Sequence, residues 1–113
     1  RELDDLLLAA GETVWHAGPL AKGSNLCHGT AGNGYAFLVL HERSGDARWL
    51  ARARAFAMHA IGQARAEAER VGHLRHSLWT GDVGLAIYLW DCLRGRGAFP
   101  TLDVFFGASL RRP

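Results

Sequence analysis

A Gly-x-x-Gly turn occurs twice in this chain, at residues 29–32 and again at residues 81–84, 52 positions later. An apolar run follows each turn, at residues 35–40 and at residues 85–90. A period near 50 residues with two helices per unit is typical of helical repeat or toroid architectures. Because such units cannot bury their apolar faces alone, the pattern favours helices that pack against neighbouring repeats.

Hydrophobic periodicity predicts four helices and an all-α fold. In the first and third segments, apolar residues recur at three- and four-residue steps, which gives each one apolar face. The second and fourth segments are apolar on all sides, as buried helices are, and this implies further protein around them. We expect Gly18-Pro19 to end the first helix and Asp46 to cap the third. The predicted helices span residues 2–16, 30–43, 47–70 and 83–93, and segment 94–113 is expected to hold little regular structure.

Composition indicates one globular domain: 113 residues, 49% hydrophobic and 21% charged. The net charge of +2 and the dispersed arginines form no basic stripe, so no nucleic-acid partner is predicted. No apolar run reaches the roughly 20 residues that cross a bilayer, and the mixed, acidic N-terminus does not fit a signal peptide. Two cysteines do not make a disulfide framework, which favours a cytoplasmic location.

A thiol and an imidazole stand side by side at Cys27 and His28, immediately before the first glycine turn. Both are ligands that Zn²⁺ prefers. Neighbouring side chains diverge on a regular helix or strand, so the backbone must turn at this step for both to reach one ion. Gly29 and Gly32 allow such a turn. A small buried cysteine beside a hydrogen-bonded histidine is the alternative interpretation of the same pair.

The sequence around this pair, from Gly23 to Leu38, resembles the signature of the lanthionine synthetase C-like (LanC-like) family. Residues 49–57, 77–84 and 98–100 resemble later segments of the same family. The resemblance implies an α/α toroid, in which helix pairs joined by Gly-x-x-Gly turns form an inner and an outer ring. Residues 1–113 are then expected to be a single helical domain, the last two repeats of an incomplete barrel.

The resemblance also implies an activity and a cofactor. In the family the Cys-His-Gly step supplies two of three protein ligands to zinc, which assigns Cys27 and His28 as metal ligands. Family members add a thiol across the double bond of dehydroalanine or dehydrobutyrine, either as lanthionine cyclases or by adding glutathione to dehydrated residues. The implied partners are a peptide or protein with dehydrated Ser or Thr, and glutathione. Zinc suits this chemistry because it lowers the pKa of a thiol that can still attack.

Two cations are implied as substrate-binding residues. Lys22 matches a glutathione-contacting lysine of the eukaryotic-type branch, and Arg70 falls near that branch's glutathione-contacting arginine, with a one-residue gap. Cations suit a ligand that carries two carboxylates, although Arg70 could also simply stabilise a helix C-terminus. The family's first zinc cysteine and its acid-base His and Asp belong to earlier repeats. No catalytic residue is therefore assigned here, and the isolated chain is expected to be inactive.

Three alternatives stay open at this point. The chain could be a non-catalytic helical-repeat module that binds a peptide or glutathione, or an unrelated four-helix bundle. Cys92 could substitute as a metal ligand, although its apolar helix favours a buried structural role. His73 and His76 are further candidates, because they share the loop before the second glycine turn.

Overall fold

Four α-helices make up the fold in the computed structural model, which describes residues 1–105 and 108–109. They are α1 (Glu2–Ala17), α2 (Thr30–Ser44), α3 (Ala47–Val71) and α4 (Asp82–Arg94). A short antiparallel pair follows, β1 (Val104–Phe105) with β2 (Ala108–Ser109), in which Val104 faces Ser109 and Phe105 faces Ala108. The all-α prediction is confirmed, and the β pair is a small regular feature that the sequence of segment 94–113 did not predict.

The predicted helix boundaries are confirmed to within one residue. Gly18 follows α1 with φ of 72°, a backbone conformation that glycine adopts without strain. The Asp46 side chain accepts a 2.8 Å hydrogen bond from the backbone N–H of Arg48, as expected of the residue that caps α3. None of the helices in the described ranges is both long enough and apolar enough to cross a membrane.

The two glycine turns share one backbone hydrogen bond at the start of the helix that follows, so the repeat in the sequence has a counterpart in the structure. The N–H of Thr30 donates to the carbonyl of Gly23 at 2.9 Å, and the N–H of Asp82 donates to the carbonyl of Arg75 at 2.7 Å. Each donor is the first residue of an inner helix, α2 or α4. In both units, therefore, the preceding loop folds back over the start of its helix.

The second glycine of each turn leaves room for that loop. A Cβ atom added to Gly32 would overlap the carbonyl oxygen of Leu26, and one added to Gly84 would overlap the carbonyl oxygen of Leu78. At both glycines the atom nearest to the added Cβ belongs to the backbone, which cannot swing aside as a flexible side chain can. Any larger residue would force the loop away from the helix.

The core lies mainly between α2 and α3, and both α1 and α4 pack against this pair. Phe37 of α2 stacks on Trp49 and meets Phe56 edge to face, both from α3. Trp15 of α1 also packs on Phe37 and Phe56, with ring centroids 6.1 and 5.9 Å away. Aromatic rings supply much of the buried area that holds the helix layers together.

One face of α4 stays outside this core. Leu85 and Tyr88 are buried, but Val83, Trp90 and Leu93 are exposed although the sequence predicted a helix buried all round. Trp90 lies seven residues after Val83 and Leu93 three residues after Trp90, so the three side chains share one side of the helix. The helix α4 therefore has more apolar surface than the described part of the chain covers.

A carboxyl group is buried beside this apolar layer. Asp91 is 3% exposed, and its Oδ2 accepts a 2.8 Å hydrogen bond from the hydroxyl of Tyr35. Burial raises the pKa of the Asp91 carboxyl, and the Tyr35 hydrogen bond only partly opposes that shift. The ionised form therefore costs stability in the folded state.

Replacing Gly84 with Ala should destabilise the fold by about 1–3 kcal/mol, the usual cost of overpacking, because Cβ would meet the Leu78 carbonyl. Gly62→Ala is the matched control, since Gly62 lies within α3 with nothing within 4 Å of a new Cβ. That control should stabilise by about 0.5–1 kcal/mol through helix propensity. Urea unfolding followed by circular dichroism measures both values, and equal effects would contradict the close approach.

Asp91→Asn should raise the melting temperature at pH 7, because the amide oxygen can still accept from Tyr35 while the buried charge is removed. Because the folded-state pKa of Asp91 is raised, the stability that depends on its neutral form is present at acidic pH and is lost as the pH rises. The advantage of the variant should therefore shrink on acidification. Melting curves at several pH values test this, and a lower melting temperature for the variant at pH 7 would refute it.

Candidate functional site

The Cys27 and His28 side chains converge in front of α2. The Sγ atom of Cys27 lies 3.3 Å from Nε2 of His28, and both residues are exposed. Tetrahedral zinc with its usual bonds to sulfur and nitrogen places those atoms about 3.6 Å apart. The separation therefore suits two ligands of one ion, and the turn that the sequence required at this step is present.

Backbone hydrogen bonds hold this corner in place. The N–H of Cys27 donates to the carbonyl of Trp79 at 2.9 Å, which ties the first turn to the second. The N–H of His28 donates to Oδ1 of Asn25 at 2.9 Å. Trp79 and Thr80 have the same places in the second turn that Cys27 and His28 have in the first.

The donor set is incomplete within the described ranges. No group of three or more His, Cys, Asp or Glu side chains comes together there in a way that could hold a metal ion. Cys27 and His28 fit zinc by donor type and by separation, but a structural or catalytic site needs at least three protein ligands. Zinc binding at this corner stays a prediction.

A cleft of about 520 Å³ adjoins the corner through Asn25. Loop residues before each glycine turn form two of its walls, and the C-terminal end of α3 forms the third. Lys22 and Arg70, the two substrate-binding candidates from the sequence, both line it. The structure thus brings together two cations that are far apart in the sequence, although their role in binding stays a prediction.

Arg70 is paired inside the chain. Its Nε donates to Oε2 of Glu67 at 2.9 Å and its Nη2 to Oε1 at 2.8 Å. Arg75 Nη2 donates to the same Oε1 at 2.9 Å. These hydrogen bonds lower the pKa of the Glu67 carboxyl, with that from Arg70 the largest cause, so the carboxylate is ionised at neutral pH.

Sequence reasoning missed Glu67 and Arg75 as cleft residues. The three-residue step from Glu67 to Arg70 on one helix is a signal that was available, because such pairs are neighbours on the helix surface. Arg75 carried no such signal, since its contact depends on the path of the loop after α3. His73 also lines the cleft, with Nδ1 2.9 Å from the Leu74 carbonyl oxygen.

Cys92 has the environment of a structural cysteine. It is buried on α4, and its thiol donates a 3.8 Å hydrogen bond to the carbonyl of Ala53 in α3. Burial raises the pKa of this thiol to about 11. A thiol that resists ionisation is a poor metal ligand at neutral pH, which favours Cys27 as the ligand of the two.

The fold and the site together define a class: an all-α repeat protein whose inner helices start at Gly-x-x-Gly turns, one of which carries a Cys-His pair. A sequence profile described as lanthionine synthetase C-like protein matches residues 1–104. The protein named Glutathione S-transferase LANCL1 of Danio rerio is 39% identical over 98 residues, 86% of this chain and 24% of that protein. LanC-like protein GCL1 of Arabidopsis thaliana is 37% identical over 94 residues, 80% of this chain and 21% of that protein.

The chain belongs to the lanthionine synthetase C-like family. It spans less than a quarter of the length of the two relatives. No solved structure matches it significantly. The family resemblance that the glycine and Cys-His motifs indicated is confirmed.

The two thiols should differ sharply in reactivity. Ellman's reagent under native conditions should modify Cys27 within seconds to minutes and leave Cys92 protected, because only Cys27 is exposed and the Cys92 pKa is raised. Cys27→Ala should abolish the fast phase, and Cys92→Ala should keep it. Rapid modification of both cysteines in the wild-type protein would contradict the buried position of Cys92.

Proposed function

We propose that this chain contributes part of the site of a zinc-dependent enzyme that adds a thiol to dehydroalanine or dehydrobutyrine in a peptide or protein. The single observation that supports this most is the 3.3 Å separation of Cys27 Sγ and His28 Nε2 at a turn fixed by backbone contacts. Membership of the LanC-like family supports the same reaction class.

Cys27 and His28 would hold the metal. Bound zinc would supply an acidified thiol that remains nucleophilic. The reaction forms one carbon–sulfur bond, opens the carbon–carbon double bond and needs one proton at the neighbouring carbon. We assign no residue of this chain as the donor of that proton. What the chain contributes is a pair of ligands held in a fixed orientation.

Glutathione is the thiol that we propose. Lys22 and Arg70 line one cleft beside the corner, and glutathione carries two carboxylates that such cations can bind. The name of the zebrafish relative, Glutathione S-transferase LANCL1, favours glutathione addition over cyclisation of a lantibiotic peptide. A lanthionine cyclase would instead use a cysteine of the peptide, for which the cleft cations have no evident use.

A second function is a helical-repeat module that binds glutathione or a peptide without catalysis. The observation in its favour is that no third metal-binding side chain joins Cys27 and His28 within residues 1–105 and 108–109. Two ligands hold zinc weakly. We therefore expect the 113-residue chain alone to bind zinc weakly and to catalyse little.

Cobalt titration tests the metal site, because Co²⁺ replaces Zn²⁺ and a thiolate ligand gives it a near-ultraviolet charge-transfer band. We expect the band in wild type, its loss in Cys27→Ala, and its retention in Cys92→Ala, which removes a buried thiol. His28→Ala should keep the band but weaken cobalt binding by at least about tenfold, since one ligand is lost. A band that survives Cys27→Ala would refute the assignment of this thiol.

A further inference from the structure

Glu67 lies where a ligand carboxylate would meet the cations of the cleft. Its Oε1 accepts from Nη2 of Arg70 at 2.8 Å and from Nη2 of Arg75 at 2.9 Å, and its Oε2 accepts from Nε of Arg70 at 2.9 Å. A guanidinium that donates two parallel hydrogen bonds is the usual partner of a carboxylate. The chain's own side chain thus shows that Arg70 and Arg75 can bind one carboxylate together.

Arg75 is held in position by its backbone. Its N–H donates to Oδ2 of Asp82 at 2.7 Å, and its carbonyl accepts from the N–H of Asp82 at 2.7 Å. This reciprocal pair fixes the loop to the first residue of α4. The position of the Arg75 backbone at the end of α3 therefore does not depend on the contact with Glu67.

The contact between Glu67 and the two arginines is exposed. The side chains of Arg70, Arg75 and Glu67 are 68%, 52% and 38% exposed. Ion pairs in such positions contribute little to stability, and salt screens them. A dissolved carboxylate can therefore replace Glu67 at small cost, because the Glu67 side chain can turn into water.

We propose that Arg70 and Arg75 form a two-arginine carboxylate site and that Glu67 is its internal competitor. This inference rests on the proposed function, in which the cleft binds glutathione, and it adds Arg75 as a specificity-determining residue. Binding exchanges one set of hydrogen bonds for another: a ligand carboxylate takes the place of the Glu67 carboxylate, and no covalent bond changes. Glu67 thereby keeps the affinity for small anions low, and a ligand needs a second contact, for which Lys22 is placed, to compete.

Titration calorimetry with S-methylglutathione tests this. The probe keeps both carboxylates but has no free thiol, so its binding does not require zinc at Cys27 and His28. Glu67→Gln should tighten binding by about twofold to fivefold at low salt, the range expected for an exposed charge pair, with a smaller gain at high salt. The diethyl ester of the probe, which lacks both charges, should bind Glu67→Gln and wild type equally.

Glu69→Gln is the matched control. Glu69 is exposed on the same helix and does not line the cleft, so the variant changes the net charge equally but should leave binding unchanged. In the Glu67→Gln background, Arg75→Gln should weaken binding several-fold, because it removes one of two carboxylate donors. Arg65→Gln, which removes an exposed charge outside the cleft lining, should not.

The calorimetry can refute the two-arginine site without refuting the proposed metal site. Unchanged or weaker binding in Glu67→Gln would overturn it, since Glu67 would then orient the arginines rather than compete with the ligand. Absence of S-methylglutathione binding in both forms would also overturn it. The cobalt band reports on Cys27 and not on the cleft, so that measurement tests the metal site independently of the two-arginine site.

Discussion

A close approach between backbone atoms underlies the rest of this structure. In each repeat a loop carbonyl, that of Leu26 or of Leu78, lies against the bare Cα of a glycine six residues later. That contact brings the loop across the start of an inner helix. The loop then ends in a turn whose side chains project in front of the helix, and in the first repeat those side chains are a thiol and an imidazole.

The cleft is a consequence of the same arrangement. Residues of the loop before each glycine turn line the cleft, and the hydrogen bond between Cys27 and Trp79 joins the two loops. The end of α3 closes the space between them, so residues from three separate segments meet there. Because the walls are loop and helix end rather than core, charged side chains can line the cleft without the desolvation cost of a buried charge.

Local signals predicted most of the fold. Helical periodicity, the Asp46 cap and the glycine repeat all act over a few residues, and each was sufficient to place an element. The Cys-His turn was also predictable, because two adjacent ligands can reach one ion only if the chain bends between them. The contact of Arg75 with Glu67 was not, because it depends on how the loop after α3 returns to α4.

The second feature that the sequence did not predict correctly was how much of α4 is buried. The apolar residues of α4 indicated a covered helix, but periodicity cannot say which neighbour covers each side, and Trp90 is exposed here. Sequence alone likewise identified Lys22 and Arg70 only through family resemblance. Their position on one cleft follows from the packing of two loops against α3, which no short motif encodes.

The equivalence of Cys27 with Trp79, and of His28 with Thr80, has a consequence for how such a protein can change. Main-chain hydrogen bonds and closely approached glycines recur in both turns, although different side chains stand at those two positions. A lineage could therefore exchange a reactive pair for an inert one, or the reverse, without rebuilding its scaffold. The same backbone turn is thus compatible with different chemistry at equivalent positions.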